Sequence, residues 1–139
     1  MSHTHISASL RRKVFEKAGG RCEYCRLPER FSFAVHQIDH VIPEKHGGET
    51  VEDNLALSCI LCNKYKCSDL ASIDPKTGKI TPLYNPRTQQ WPLHFSLNED
   101  GFLVSETAEG RATIRTLQLN RAERIEERRL MKGAGFWDL

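Results

Sequence analysis

The sequence predicts an α+β fold in which two short strands and a helix are held at their base by a structural zinc ion, with a C-terminal extension of hairpin and helices. Three observations support this prediction. Two cysteine pairs have identical spacing, an aromatic and β-branched stretch between them is typical of a strand, and the second pair leads directly into a helical segment.

The first element is a helix that begins at Ser7 or Ser9, either of which can cap it, and runs through the string RRKVFEKA. It ends at Gly19-Gly20, because glycine adopts positive backbone angles without strain. Residues 31–42, with the sequence FSFAVHQIDHVI, predict the first strand, and Pro43 closes it.

The second strand and the following helix come after a loop. The pair Gly47-Gly48 breaks the strand pattern and begins the loop, and residues 55–58 predict a short second strand. Residues 59–70 predict a knuckle that continues into a helix. The resulting order is strand, long loop, strand and helix, with zinc at the base.

The remainder of the chain has a different character. Residues 74–78 form a strong turn signal, and residues 98–101 predict a hairpin turn between the strings HFSL and FLVS. From about residue 110 the pattern becomes helical, and the spacing Asn120-x-x-Glu123 resembles a capping box at the start of a last helix.

Length and composition favour one compact domain, and the change of character after Leu70 divides it into a zinc-bearing core at residues 1–72 and an extension at 73–139 packed on it. No run of residues is long and apolar enough for a membrane span. The net charge of +2 argues against a strongly basic nucleic-acid coat. Residues 11–30 and 111–132 each hold seven Lys or Arg against three Glu, a surplus of +4 that can follow a phosphate backbone or form a solvated, salt-bridged surface.

The four paired cysteines have two chemical uses, disulfides or a metal. The first ten residues, MSHTHISASL, contain no apolar leader, so we expect a cytoplasmic protein in a reducing compartment, which favours thiolates and zinc. Cys67 is left over, since its spacing from Cys62 fits no second knuckle, and we expect it to be a small buried or half-buried helix residue.

The residues enclosed by the cysteines suit metal-assisted cleavage of a phosphodiester. His40 is the candidate general base, because imidazole titrates near neutral pH. Asp39 and Asn63 offer hard oxygen ligands for one Mg²⁺ or Mn²⁺ ion. Asn54 is placed to hold the His40 ring or its backbone by hydrogen bonding, a task that amides do well.

Strand geometry sets a condition on this site. Asp39 and His40 are adjacent, and neighbouring residues on a regular strand point to opposite faces. We therefore expect the strand to be distorted or to end there, as Pro43 favours. Asn63 follows Cys62 directly, so a zinc ion on Cys62 would fix the position of Asn63.

Four further residues are candidates for substrate binding. Lys64 and Lys66 lie one helical turn from the site and are expected to contact phosphate. His36 either lines the cleft or is a buried strand histidine with a satisfied hydrogen bond, and His46 either touches a phosphate or is simply exposed.

The combined motif resembles the HNH endonucleases, which have a ββα-metal (His-Me finger) fold, in the subtype that carries a zinc-binding CxxC pair. The resemblance covers about the first half of the chain, and the second half is similar to the extension of small bacterial stand-alone HNH proteins. The residues that carry it are Cys22-x-x-Cys25, Ile38-Asp39-His40-Val41-Ile42-Pro43, Gly47-Gly48, Asn54-Leu55 and Cys59-x-x-Cys62-Asn63-x-x-Lys66.

The resemblance implies the same roles that the chemistry suggests. It makes His40 the general base and Asn54 the middle residue of the motif, while Asp39 and Asn63 bind the catalytic cation. The third motif position is asparagine rather than histidine, which favours an oxygen-preferring Mg²⁺ or Mn²⁺ ion. The residues implied to bind structural zinc are Cys22, Cys25, Cys59 and Cys62.

Two functions of different class follow. The first is a metal-dependent endonuclease that hydrolyses DNA, most simply double-stranded DNA, nicks it as a monomer, and needs no obligate protein partner. The second is a zinc-stabilised module that binds nucleic acid without catalysis, and cleavage of RNA is a third possibility. Retention of Asp39, His40, Asn54 and Asn63 at these spacings favours the nuclease.

Overall fold

The computed structural model describes residues 4–137, which divide into two compact units. Unit 1 contains the chain up to Leu70 together with Asn85–Gln89, and unit 2 contains Ala71–Tyr84 and the chain from Gln90 onward. None of the helices within this described part is long and apolar enough to cross a membrane.

Unit 1 begins with helix α1, Ala8–Lys17. The Ser7 hydroxyl caps it by accepting a hydrogen bond from the Leu10 N–H. Of the two predicted cap residues, Ser7 is therefore the one that caps the helix. The helix ends before Gly19 and Gly20, which have φ angles of 64° and 70°, so the predicted glycine stop is confirmed.

Strands β1, Gln37–His40, and β2, Leu55–Ser58, form an antiparallel pair, and helix α2, Ile60–Lys66, follows directly. The predicted order of strand, loop, strand and helix is therefore present. The first strand is shorter than predicted, because Glu29–Phe31 form a 3₁₀ turn and residues 32–34 form bends without a strand partner.

The two faces of this hairpin have different neighbours. Pairing of Ile38 with Leu57 and of His40 with Leu55 places these side chains on one face, which packs against α1. The opposite face carries Asp39 and contacts α2. The apolar core between α1 and the hairpin consists of Val14, Ala18, Leu55 and Leu57, with Leu10 and Ile38 packed against it.

Unit 2 contains two small hairpins. Strands β3, Ala71–Ile73, and β4, Ile80–Pro82, pair around the predicted turn at residues 74–78, although the sequence analysis assigned no strands there. The Asp74 carboxylate stabilises the turn by accepting hydrogen bonds from the Lys76 N–H and the Thr77 hydroxyl.

The predicted hairpin is confirmed in β5, Ser96–Leu97, and β6, Leu103–Val104, which follow the short helix α3, Trp91–His94. The last elements are α4, Ala108–Thr116, and α5, Ala122–Gly133.

The predicted capping box at the start of α5 is wrong. Arg121 is the N-cap residue and makes no side-chain cap hydrogen bond. The Asn120 side chain instead accepts a hydrogen bond from the Leu103 N–H and donates one to the Leu103 carbonyl. These bonds fix the end of the β5–β6 hairpin, so Asn120 does not cap a helix.

Candidate active site and zinc centre

The four paired cysteines converge in unit 1. The Sγ atoms of Cys22, Cys25, Cys59 and Cys62 all lie within 4.8 Å of one another, and all four residues are buried. The Cys25 and Cys59 sulfurs are 3.7 Å apart. Four sulfurs bound to one zinc ion at about 2.3 Å would be about 3.8 Å apart, so the cluster fits tetrahedral zinc.

Both cysteine pairs have the same local geometry. The Cys25 N–H points at the Cys22 sulfur and the Cys62 N–H at the Cys59 sulfur, each at 3.4 Å. Hydrogen bonds from the neighbouring thiols of Cys22 and Cys25 lower the pKa of Cys59, whereas burial raises the pKa of Cys22. Backbone N–H groups directed at the sulfurs stabilise the thiolate form that zinc requires.

The knuckle is joined to β2 by Glu23, a residue that the sequence analysis did not single out. Its backbone N–H donates to the Leu57 carbonyl, and its Oε2 accepts from the Leu57 N–H, each at 2.8 Å. The other carboxylate oxygen, Oε1, pairs with Arg87 of the Asn85–Gln89 segment. Arg87 therefore braces the knuckle through Glu23.

Asp39 lies on the α2 face of β1, and both of its carboxylate oxygens have partners. The Tyr24 hydroxyl donates to Oδ2 at 2.7 Å, and the Lys66 ammonium lies 3.1 Å from Oδ2 and 3.3 Å from Oδ1. Burial raises the pKa of the Asp39 carboxyl, while the Lys66 charge and the Tyr24 hydrogen bond oppose that rise. Asp39 is only 4% exposed.

Lys66 was predicted to contact phosphate, and the structure places it inside unit 1 instead. It is 1% exposed, and besides Asp39 its ammonium donates to the His40 carbonyl at 3.3 Å and the Val41 carbonyl at 3.1 Å. A buried ammonium needs such partners, since an unpaired charge is costly to desolvate. Lys66 therefore stabilises the end of β1 from within.

His40 is the last residue of β1, so the strand ends there as expected, but its pairing with Leu55 still places its side chain on the face opposite Asp39. Its Nε2 lies 2.9 Å from the Thr50 hydroxyl and 3.5 Å from Glu44 Oε1. The Thr50 hydroxyl donates to Glu44 at 3.2 Å, so its oxygen acts as the acceptor for Nε2–H. This network assigns the ring proton to Nε2 and leaves the lone pair on Nδ1.

Glu44 and Thr50 were missed by the sequence analysis. Glu44 follows His40 by four residues, beyond Pro43, and that short spacing was the available signal. Thr50 had none, because its approach to His40 depends on how the intervening loop folds. Together they form a hydroxyl and carboxylate pair that holds the orientation of the His40 imidazole.

Asn54 holds the backbone just beyond His40. Its Oδ1 accepts from the Ile42 N–H, and its Nδ2 donates to the carbonyls of Ile42 and Glu49, all at 2.9 Å. Gly48 lies against the same point, since a Cβ on it would come 1.6 Å from the Ile42 oxygen. The pair Gly47-Gly48 therefore marks a close backbone approach as well as a turn.

Asn63 lies in α2 on the same face of the hairpin as Asp39. Its Nδ2 donates to Gln37 Oε1 at 2.5 Å, and this leaves the Asn63 oxygen directed away from Gln37. One amide oxygen and one carboxylate are a sparse donor set, which suits Mg²⁺ because that ion keeps several waters and takes substrate oxygens. Both Asp39 oxygens already have partners, so a cation bound here would share the carboxylate with Tyr24 and Lys66.

The other predicted substrate contacts divide between surface and interior. Lys64 is exposed, and His46 is exposed with its Nε2 3.2 Å from the Ser68 carbonyl. His36 is buried, and its Nε2–H donates to the Leu27 carbonyl at 2.8 Å. That carbonyl also accepts a hydrogen bond from the Cys22 N–H, so His36 and the first cysteine of the knuckle share one acceptor.

Residues 22–69 match the family model described as HNH endonuclease. No curated protein and no solved structure matches the chain significantly. The matched range contains β1, β2, α2 and all four clustered cysteines. This segment is therefore similar to an HNH domain, and its strands, helix and cysteine cluster fit a ββα-metal core with a zinc knuckle. Unit 2 contains the hairpins and helices of the rest of the chain.

Proposed function

We propose that the protein is a metal-dependent endonuclease that hydrolyses phosphodiester bonds of DNA. The observation that carries the proposal is the His40 imidazole, held at the end of β1 by Thr50 and Glu44 inside the HNH domain. A histidine whose proton is assigned to one nitrogen, with the other nitrogen left as a base, is the group that activation of water requires.

In the proposed reaction, His40 Nδ1 accepts a proton from water as the water oxygen attacks the phosphorus atom. The bond from phosphorus to the 3′ oxygen then breaks, which leaves a 5′-phosphate and a 3′ alkoxide that takes a proton from solvent to become the 3′-hydroxyl. Glu44 stabilises the imidazolium that forms, because its carboxylate lies 3.5 Å from Nε2. A divalent cation held by Asp39 and Asn63 would neutralise charge on the phosphate and the departing oxygen.

The remaining motif residues keep this arrangement rigid. Asn54 fixes the backbone at Ile42, and Lys66 fixes the carbonyls of His40 and Val41. The base therefore has little freedom to leave its position, which is the condition for efficient general-base catalysis. Exposed Lys64 and His46 are the proposed phosphate contacts, and one site per monomer would cut one strand at a time in the cytoplasm.

A second function, a zinc-stabilised module that binds nucleic acid without cleaving it, has one observation in its favour. Both oxygens of Asp39 already accept from Tyr24 or Lys66, which is the pattern of a structural carboxylate. The orientation of His40 by Thr50 and Glu44 argues for the nuclease, because a binding module has no need of an oriented imidazole.

The test is cleavage of supercoiled plasmid with Mg²⁺ or Mn²⁺, with and without chelator. Wild type should convert it to the nicked form, and His40→Ala should not. His46→Ala is the matched control, since His46 is exposed and should affect DNA affinity more than the cleavage rate. If wild type and His40→Ala cleave equally, or if wild type cleaves no duplex or single strand, the proposal fails.

A further inference from the structure

The segment between the knuckle and β1 presents apolar side chains to solvent. Phe33 is fully exposed, at 112% of the reference value, Val35 is 72% exposed, and Phe31 is 42% exposed. Two phenylalanines and a valine within five residues are an unusual surface for a small soluble unit. Burying one such side chain lowers the free energy by about 1.5–3 kcal/mol relative to leaving it in water. A bound partner that covers these side chains would therefore gain this free energy.

The exposure is built into an ordered loop. The Ser32 N–H donates to the Glu29 carbonyl at 2.9 Å, and the Ala34 N–H donates to the Ser32 hydroxyl at 3.4 Å. At the far end, the His36 N–H donates to the Glu29 carboxylate at 2.9 Å. The loop is thus held at both ends by hydrogen bonds, and its aromatic side chains point outward from a fixed backbone.

The charges beside the rings are suited to a polyanion. The Arg30 guanidinium lies 4.8 Å from the centre of the Phe31 ring. The acidic group of the loop, Glu29, is engaged with the His36 backbone, and residues 11–30 carry the surplus of +4. Exposed rings combined with arginine are typical of surfaces on which nucleobases stack beside a neutralised phosphate backbone.

The loop also lies within reach of the same DNA as the proposed site. Val35 precedes Gln37 by two residues, and Gln37 contacts Asn63. Phe33 precedes His40 by seven residues, so at about 3.5 Å per residue the two are at most about 25 Å apart. That span corresponds to about seven base steps at about 3.4 Å each.

We propose that Phe33, with Phe31 and Arg30 beside it, stacks on or between DNA bases within about seven base steps of the phosphodiester that the HNH domain cleaves. The inference rests on the proposed nuclease function and adds a contact in which an aromatic side chain stacks on the faces of bases. DNA that is bent or locally unpaired exposes base faces at the lowest cost, and apolar wedges at base steps are a known mode of DNA binding. The contact should therefore favour such DNA over a regular duplex.

Binding is measured in a His40→Ala background, so that substrate is not consumed. Fluorescence anisotropy with a labelled duplex and with the same duplex carrying a short unpaired bulge gives affinities at several salt concentrations. Phe33→Ala should weaken binding of the bulged DNA by about five- to 150-fold, the range found for base–aromatic stacking. The salt dependence should not change, because no charge is lost.

Two matched variants accompany it. Phe33→Trp retains a stacking surface and should restore the affinity. Ile80→Ala removes another strongly exposed apolar side chain, one in unit 2 that is 80% exposed, and should leave DNA binding unchanged.

The proposal is overturned if Phe33→Ala binds both DNAs as tightly as its parent. It is also overturned if Phe33→Ala leaves DNA binding intact but converts an oligomer to a monomer, since the patch would then be a protein interface. These results leave the nuclease proposal standing wherever wild type still nicks plasmid. If wild type neither binds nor cleaves DNA, the nuclease proposal itself fails.

Discussion

The Tyr24 hydroxyl donates a 2.7 Å hydrogen bond to the carboxylate of Asp39, and this bond joins the zinc knuckle to the strand that carries the candidate base. Tyr24 lies between Cys22 and Cys25, and Asp39 directly precedes His40. Loss of zinc should therefore affect the site through this contact as well as through Asn63. The two metals of the proposed enzyme would be coupled through the buried Tyr24 hydroxyl as well as through Asn63.

Tyr24→Phe should lower the free energy of unfolding by about 1.5–3 kcal/mol, the value for a buried hydrogen bond to a charged group. Zinc content should stay at one ion per chain, because no sulfur ligand changes. Urea unfolding gives the first quantity and a colorimetric zinc assay the second. In an Asp39→Asn background the same change should cost less, and an equal cost in both backgrounds would show that the bond contributes nothing.

Lys66→Met should destabilise unit 1 by about 3–5 kcal/mol, because it leaves the Asp39 carboxylate buried without its counter-ion. Lys64→Met, a control two residues away in the same helix, should change stability by less than about 0.5 kcal/mol, since Lys64 is exposed.

Of these two variants, Lys64→Met should have the larger effect on DNA binding. Lys64→Met should weaken binding and reduce the salt slope by about one, because one phosphate contact is lost. Equal stability of the two variants in urea would contradict the internal role of Lys66.

Thr50→Val should lower kcat for plasmid nicking by about tenfold, which corresponds to one hydrogen bond worth about 1.4 kcal/mol in the transition state. The reason is that Nε2 of His40 would lose its acceptor, so the ring could rotate. KM for DNA should not change. Thr88→Val, at an exposed position of the same unit, is the control and should retain full activity. An unchanged kcat in Thr50→Val would show that Thr50 does not orient the His40 ring for catalysis.

Cys59→Ser should abolish zinc binding and the cooperative unfolding of unit 1, because Cys59 is both a cluster member and the N-cap residue of α2. Cys67→Ser should retain one zinc ion and normal stability, since Cys67 is exposed and outside the cluster. Zinc quantification and circular dichroism before and after chelation measure both. Retained zinc in Cys59→Ser would contradict a four-sulfur site.

Asp74 makes the stability of unit 2 sensitive to acid. Hydrogen bonds from Arg111 hold the pKa of this carboxyl well below its ordinary value of about 3.9. A lowered folded-state pKa gives stability that is present above the unfolded pKa and is lost as pH falls through the folded one. Wild type should therefore lose stability below about pH 4, with unfolding in urea as the measurement.

The matched variant is Asp74→Asn, which keeps the shape but not the charge. It should be less stable than wild type at pH 7, and the difference should shrink as the pH falls below 4. A difference that stays constant from pH 7 to strongly acidic pH would mean that the ion pair with Arg111 does not contribute.

The sequence predicted the features that depend on local spacing. Paired cysteines two residues apart and a helix bounded by Ser7 and Gly19 need no knowledge of distant contacts. The first strand was predicted too long, because aromatic and β-branched residues favour strands but also occur in ordered loops, as they do at residues 31–34.

Burial of charge was harder to foresee. Lys66 is on a short helix and has the composition of a surface residue, but its partner Asp39 lies 27 positions away in the sequence. Thr50 likewise gains its role only when the loop folds back on His40. Long-range partners of polar groups are decided by tertiary structure, and a single sequence contains no local signal for them.

Asn54 and Asn120 use the same chemistry in different units. Each accepts from the N–H and donates to the C=O of one backbone residue, Ile42 or Leu103. A carboxamide is the side-chain equivalent of a peptide group, so each asparagine supplies one extra rung of β-ladder without an extra strand. Aspartate has no donor for the carbonyl and glutamine is one methylene too long, so neither residue can replace both hydrogen bonds of asparagine at these positions.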